Sequence, residues 1–303
     1  MPEKNPVRLA TAQVVVRDDP CDSGQLRQSG GEARALMRQA RQAGARIIHF
    51  PEGTTCSPHR RIVSATGPEE VGPADWERAR WPVLREELAE IARLAAELRL
   101  WTVLGAMHPL TPPNRPHNSM YVISDQGRAL TRSDERLLSN TKLSLMYSPG
   151  SAPVTFDVDG VLFSTAGPSR PQSAAAFAAE AQGHAAANSL WVSFAISAQN
   201  SADAPSGIIS PDGRWAARCS DDGQPAMAIA DIDSQPEPIA IAISAARPWR
   251  RKARTGIYDT HWSRRPRRGP DRLLARAVRL APASTDTGRA AGRSRRRGGA
   301  PPG

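Results

Sequence analysis

Glu52 and Lys142 are the two residues of this 303-residue chain whose type and setting could support chemistry. Glu52 ends a predicted strand in the segment 49–53, and Lys142 stands in the polar segment 139–144. A carboxylate can accept a proton, and an ammonium group can stabilise negative charge that develops during a reaction. Singly, each has an ordinary explanation, because a Pro-Glu-Gly run is usually a turn and a lysine usually lies at the surface. Their combination and order therefore carry the information.

Cysteine is the residue type that could act beside such a pair, as a thiolate nucleophile. The chain has three cysteines, Cys21, Cys56 and Cys219, and none lies between Lys142 and Cys219. Cys56 lies four residues beyond Glu52 in a predicted loop, and no C-x-x-C pair or disulfide framework is present. The six histidines lack the i, i+4 spacing that places two zinc ligands on one helical face. The sequence therefore predicts neither a metal nor another cofactor.

The net charge of +10 is confined to one end of the chain. Residues 264–303 carry 12 arginines and two acids, so residues 1–263 are electrically balanced. An apolar content of 40% suits a soluble protein. No apolar run approaches the roughly 20 residues that span a bilayer. The first residues lack the layout of a signal peptide, and we therefore predict a cytoplasmic protein without membrane contact.

Strands alternate with helices along the first hundred residues, as in βαβ units around a largely buried sheet. The predicted strands are 7–13, 46–50 and 100–105, and the predicted helices are 30–43 and 83–99. In the middle of the chain, turn residues predict hairpins. Further strands are predicted over 118–124, 154–158, 161–165, 190–195, 226–232 and 239–243, with an alanine-rich helix over 171–187.

From about residue 260 the composition changes to Arg, Pro, Gly and Ala. Such a segment cannot bury enough apolar surface to offset the entropy of ordering. We therefore predict a folded domain over 1–259 and a disordered tail over 260–303. The tail could bind nucleic acid through its arginines. A solvated extension is the favoured interpretation, because almost no aromatic residue is available to stack on bases.

Five segments in order resemble the carbon–nitrogen hydrolase (nitrilase and aliphatic amidase) superfamily over about residues 7–258. They are the first strand Arg8-Leu9-Ala10-Thr11-Ala12-Gln13, the strand end Phe50-Pro51-Glu52, Lys142 with Tyr147-Ser148-Pro149-Gly150, the stretch 186–192, and the hairpin 207–214. The resemblance implies an α-β-β-α sandwich and, commonly in this family, a homodimer. It implies hydrolysis of a small amide or nitrile, with a cysteine nucleophile, Glu52 as base and Lys142 as the cation that stabilises the tetrahedral intermediate.

The chain departs from the family where the cysteine is expected. If segment 161–168 is the strand that leads to the nucleophile, the cysteine position falls at Gly167 or Pro168, which cannot attack. If it is the following strand, then the nucleophile strand and its helix are missing at the Asp159-Gly160-Val161 junction. We favour this second interpretation, a sandwich truncated in the middle. A crossover between parallel strands needs a dozen or more residues, and Asp159-Gly160 supplies only a turn. Ser164 or Ser169 could replace the cysteine as nucleophile. We do not favour this, because no histidine lies nearby in sequence to act as the base.

We therefore expect a carbon–nitrogen hydrolase family protein with weak activity or none. Two alternatives are a pseudoenzyme that binds a small ligand or a protein partner, and an unstable product of a deleted gene.

Overall fold

The computed structural model describes residues 6–152, 154, 162–165 and 172–232. The chain divides into two units, Met1–Lys252 and Ala253–Gly303, and all described residues belong to the first. The strands are β1 (Val7–Gln13), β2 (Ile47–His49), β3 (Trp101–His108), β4 (His117–Ile123), β5 (Ala129–Asp134), β6 (Leu162–Thr165), β7 (Val192–Ala195), β8 (Gly207–Ile209), β9 (Trp215–Arg218) and β10 (Ala226–Ile232). The helices are α1 (Ser23–Gln42), α2 (Trp81–Leu98) and α3 (Gln172–Asn188).

The strands form two sheets, and each is built around parallel crossovers. The six-stranded sheet has the order β10-β1-β2-β3-β4-β5, with β1, β2 and β3 parallel and the outer strands antiparallel. The four-stranded sheet has the order β6-β7-β8-β9, and β6 is parallel to β7. Strand β10 comes last in the described chain yet pairs with β1, so the chain returns to its first sheet.

Helices α1 and α2 cover one face of the six-stranded sheet. Alternate residues of β1 and β2 point toward these helices, among them Ala10, Ala12 and Ile48, and all three are fully buried. Helix α1 begins at Ser23, seven residues before the predicted start, because the Asp22 side chain accepts hydrogen bonds from the first backbone amides of the helix. The Gly30-Gly31 pair therefore lies inside the helix.

Close packing of α1 on α2 explains one of these glycines. A Cβ at Gly30 would collide with the carboxylate of Glu87, which is buried and accepts a 2.5 Å hydrogen bond from Arg34 Nη1. Glycine therefore lets the two helices approach around a buried ion pair. This ion pair joins α1 to α2.

The opposite face of the six-stranded sheet packs on the four-stranded sheet. Leu9 and Ile47 form an apolar cluster with Ile208 and Ile232 between the sheets. Helix α3 covers the outer face of the four-stranded sheet, where its alanines pack on Phe194. The layers are thus helix, sheet, sheet and helix, which confirms the predicted α-β-β-α fold. The predicted strands 154–158 and 239–243, the Asp159-Gly160-Val161 junction and the tail over 260–303 lie outside the described residues, apart from Val154.

Candidate active site

Glu52 lies three residues beyond the end of β2, at the carboxyl end of the parallel strands. Gly53 has a φ of +68°, a conformation that glycine adopts without a steric penalty. The next strand approaches this turn closely, since a Cβ at Gly105 would lie 2.7 Å from the Glu52 Cα and 2.8 Å from the Gly53 nitrogen. The Thr54 hydroxyl donates a 2.7 Å hydrogen bond to the Pro51 carbonyl. The turn that carries Glu52 is therefore fixed from both sides.

Lys142 reaches Glu52 from a different part of the chain. It begins a short π-helical turn, Lys142–Met146, that follows β5 in sequence. Its Nζ lies 2.8 Å from Glu52 Oε1 and 2.9 Å from Glu135 Oε2. The fold thus brings the two predicted site residues into direct contact.

Glu135 and Asn118 complete this cluster, and the sequence analysis missed both. Asn118 Nδ2 donates to Glu52 Oε1 at 2.6 Å and to Glu135 Oε2 at 2.7 Å. Asn118 lies on β4, and Glu135 follows β5 directly, so antiparallel pairing of these strands places the two residues together. Each carboxylate therefore accepts one bond from an amide and one from an ammonium group. The available signal was an acid seven residues before Lys142, at a strand end.

The electrostatics of the cluster keep Lys142 in its charged form. Burial by itself would lower the pKa of Lys142, but the charges of Glu52 and Glu135 outweigh it and raise this pKa above the usual value. Two carboxylates thus flank one ammonium group. A cation held in this way can stabilise an oxyanion, and a carboxylate beside it can accept a proton.

The cluster opens into a cleft of about 670 Å³. One wall is formed by residues of the six-stranded sheet and by the segment 135–142, which follows β5. The other wall is formed by Phe194 of β7 and by α3, which contributes Ser173, Phe177, Glu180, Ala181 and His184. Phe177 is 38% exposed, although it is a large apolar residue. The volume is that of a site for a small molecule.

No cysteine lines this cleft, and all three cysteines of the chain lie in described positions elsewhere. Cys56 is buried in an apolar cluster with Met146 and Tyr147, and burial raises the pKa of its thiol. Cys219 has its Sγ 3.8 Å from the Thr11 carbonyl, and burial raises its pKa to about 12. Burial also raises the pKa of Cys21. These thiols are protonated and therefore unreactive near neutral pH.

The candidate substitutes for the cysteine fall where the side chains are not described. Ser164 belongs to β6, whose backbone register is described, whereas Ser169 lies between β6 and α3 in sequence. Gly167 and Pro168, the two positions at which the cysteine was expected, lie in the same stretch. Across the described part of the chain no group of His, Cys, Asp and Glu residues is arranged to hold a metal ion. Within the same residues, no helix combines the length and apolar character that a membrane crossing requires.

Comparison with known proteins places the site in a family context. The model of the carbon–nitrogen hydrolase family matches residues 23–169, a range that contains Glu52, Asn118, Glu135 and Lys142. None of the curated proteins compared with the chain matches it.

Solved structures share the fold. A carbon–nitrogen hydrolase from Helicobacter pylori superposes with a TM-score of 0.61 at 13% identity, over 85% of this chain and 98% of its own. An amidase from Nesterenkonia sp., solved with the acetamide moiety of fluoroacetamide attached to its active-site cysteine, has a TM-score of 0.56 at 14% identity, over 83% and 98%. The same amidase in complex with butyramide gives a TM-score of 0.55 at 15% identity, over 77% and 93%.

Proposed function

Residues 23–169 of this chain belong to the carbon–nitrogen hydrolase family, and on that premise we propose that the cleft binds a small amide and hydrolyses it weakly or not at all. The observation that carries this proposal is a complete charged cluster in a cleft without a thiol. Glu52, Glu135, Asn118 and Lys142 are joined by four hydrogen bonds. A nitrile is the related alternative ligand.

The cluster suits an amide because it offers both kinds of partner that an amide needs. The Lys142 ammonium can donate to the carbonyl oxygen, and the carboxylates of Glu52 and Glu135 can accept from the amide nitrogen. An amide therefore exchanges its bonds to water for charge-assisted bonds in the cleft. The amidase from Nesterenkonia sp., which shares this fold, was solved with butyramide, and this supports the choice of a short aliphatic amide.

Hydrolysis by the family's route needs a nucleophile that forms an acyl-enzyme. In our proposal Glu52 has the role of the base, and Lys142 has the role of the cation that stabilises the oxyanion. Neither residue serves as the nucleophile that forms the covalent intermediate. Serines also line the cleft, and a serine hydroxyl needs an adjacent base to act as a nucleophile. The Ser119 hydroxyl donates to Asp134 at 2.6 Å, but Arg132 also binds this carboxylate. Burial would raise the pKa of Asp134, but the bonds from Arg132 and Ser119 outweigh it and lower this pKa, which makes Asp134 a poor base. The expected rate is therefore close to the uncatalysed one.

The test measures binding and turnover separately on the full chain. Calorimetric titration with butyramide should give saturable binding, and ammonia release over hours should not exceed the blank. Glu52→Gln should weaken binding about tenfold, because one charge-assisted acceptor is lost. Glu180→Gln is the matched control, since Glu180 lines the same cleft but is outside the cluster.

Each contrary result has a distinct meaning. Absence of butyramide binding would refute the ligand assignment. Ammonia release that Glu52→Gln abolishes would show that the chain has a working nucleophile. A cooperative melting transition at ordinary temperature would reject the alternative of an unstable product.

The remaining expectations stay predictions with their own measurements. A homodimer is tested by light scattering of the purified chain. Nucleic-acid binding through the arginines of 264–303 is tested by titrating single-stranded DNA at two salt concentrations, since such binding weakens steeply with salt. A cytoplasmic location is tested by cell fractionation.

A further inference from the structure

A second, smaller cavity lies on the helical side of the six-stranded sheet, away from the charged cluster. Its volume is about 160 Å³, and none of its lining residues also lines the cleft. The walls are mostly apolar side chains of α2, of β3 and the residue that follows it, and of β4, namely Trp81, Leu84, Leu88, Ala106, Met107, Pro109 and Tyr121. His108 also lines the cavity, and its Nδ1 lies 2.5 Å from the Tyr121 hydroxyl, so these two polar groups contact each other. A cavity of about 150 Å³ with apolar walls can hold a benzene-sized body. The size therefore limits the ligand to one small ring or a short branched chain.

Thr55 supplies an unsatisfied polar atom at the buried end of this cavity. The residue is 2% exposed, and its hydroxyl is buried without a hydrogen-bond partner among the described residues. A buried hydroxyl without a partner costs free energy, and few such groups occur in folded proteins. A ligand hydroxyl that enters the cavity would supply the missing bond.

Arg85 supplies a cation at the open end. It is exposed on α2, its Nε donates a 3.3 Å hydrogen bond to the Trp81 carbonyl, and it forms no ion pair with any described residue. By contrast, Arg93 on the same helix is paired with both Glu90 and Glu97. An unpaired guanidinium beside an apolar cavity favours a carboxylate, which it can bind through two parallel hydrogen bonds.

We propose that this cavity binds a small carboxylate with a benzene-sized apolar body and a hydroxyl group at its opposite end. The carboxylate contacts Arg85, the ring lies between α2 and the sheet, and the hydroxyl contacts Thr55. Mostly apolar walls with a few polar groups that fix the orientation of the ligand are the usual design of a small-molecule site. This site is independent of the amide cleft.

Calorimetric titration of the full chain with 4-hydroxybenzoate, benzoate and 4-hydroxybenzyl alcohol tests the proposal. The first compound should bind about fivefold more tightly than either of the others, because each lacks one polar partner. Arg85→Gln should weaken binding of both carboxylates about fivefold, and Arg93→Gln should leave it unchanged. Glu52→Gln should also leave it unchanged, which separates this site from the cleft.

Thr55→Val separates a ligand contact from a merely structural threonine. The variant should lose the preference for 4-hydroxybenzoate over benzoate while it still binds benzoate. If the preference persists in a folded Thr55→Val protein, the assigned role of Thr55 is wrong. Binding of all three compounds weaker than a Kd of about 10 mM, or binding that Arg85→Gln does not change, would overturn the site as a whole.

Discussion

The six-stranded half and the four-stranded half of this molecule differ in what they supply to the cleft. The six-stranded half, through the turn after β2 and the segment after β5, provides every charged residue of the cluster, namely Glu52, Glu135 and Lys142. The four-stranded half provides Phe194 and one face of α3, and it contributes no thiol. The charged cluster is thus assembled by one half alone. Because its acids and its lysine satisfy one another, it needs no nucleophile to hold it together.

The two halves also differ in their helical layers. Two crossover helices cover the six-stranded sheet, whereas α3 is the one helix that covers the four-stranded sheet within the described residues. The buried face of α3 consists of Ala174, Ala178, Ala181 and Ala185. Alanine buries little apolar area, so this layer adds less free energy of folding per turn than the leucines, isoleucine and methionine of α1 and α2.

The largest expected effect compares one phenylalanine from each half. Phe50 and Phe194 are both fully buried, but only Phe194 borders the cleft. Phe50→Ala should lower the free energy of unfolding by about 4 kcal/mol, because it leaves a closed cavity among α1, α2 and the sheet. Phe194→Ala should cost about 2 kcal/mol less, because the space it leaves joins a cleft that is open to solvent and is not a closed cavity. Urea unfolding of both variants provides the measurement.

Equal losses in these two variants would contradict the comparison. They would indicate that the four-stranded half is packed as tightly as its counterpart and that the cleft is closed in solution. An unchanged m-value is the control in both cases, since it shows that only stability has changed.

A pair of glycine substitutions gives the next largest effect. Gly105→Ala should destabilise by about 3 kcal/mol or remove folding, because backbone atoms of the Glu52 turn leave no room for a methyl group. Gly183→Ala on α3 should instead stabilise by about 0.5 to 1 kcal/mol, since nothing lies within 4 Å of the added carbon and alanine favours a helix. Thermal melts compare the two variants. Similar destabilisation by both would refute this view of the Glu52 turn.

The same turn shows how far sequence reasoning could reach. Glu52 and Lys142 were predicted because their combination and order, together with the neighbouring segments, resemble a family pattern. Strand β1 and helix α2 were predicted because their apolar patterns are regular. Glu135 and Asn118 could not be found in this way. They meet only because β4 and β5 pair in one register, and register depends on contacts across the sheet.

The start of α1 illustrates a second limit. Two adjacent glycines, Gly30 and Gly31, usually argue against a helix interior. Here packing overrides propensity, because the buried Glu87 carboxylate needs the space that Gly30 leaves. The nucleophile segment is a third case, since Asp159-Gly160-Val161 lies outside the described residues and the predicted loss there stays a prediction.

The contact between the halves offers a smaller effect than Phe50→Ala or Gly105→Ala, and it can be read out through pH. His49 of β2 lies between the sheets, with its Nδ1 2.8 Å from the hydroxyl of Ser193 on β7, and that hydroxyl lies 2.6 Å from Thr11 Oγ1 on β1. Burial lowers the pKa of His49 from 6.5 to about 3. The unfolded chain therefore takes up a proton that the folded chain does not. This contribution to stability is fully present above pH 6.5 and is lost as the pH falls toward 3.

His49→Asn should flatten this dependence, because asparagine can retain the bond to Ser193 but does not titrate. Between pH 7 and pH 5 the wild type should lose up to about 2 kcal/mol more than the variant, measured by urea unfolding at each pH. His184→Asn is the matched control, since His184 is exposed on α3 and should leave the difference unchanged. If the wild type and His49→Asn show parallel pH profiles, His49 is protonated in the folded state. In that case water reaches the contact between the sheets, and the two halves are packed less closely than the cluster of Thr11, His49 and Ser193 indicates.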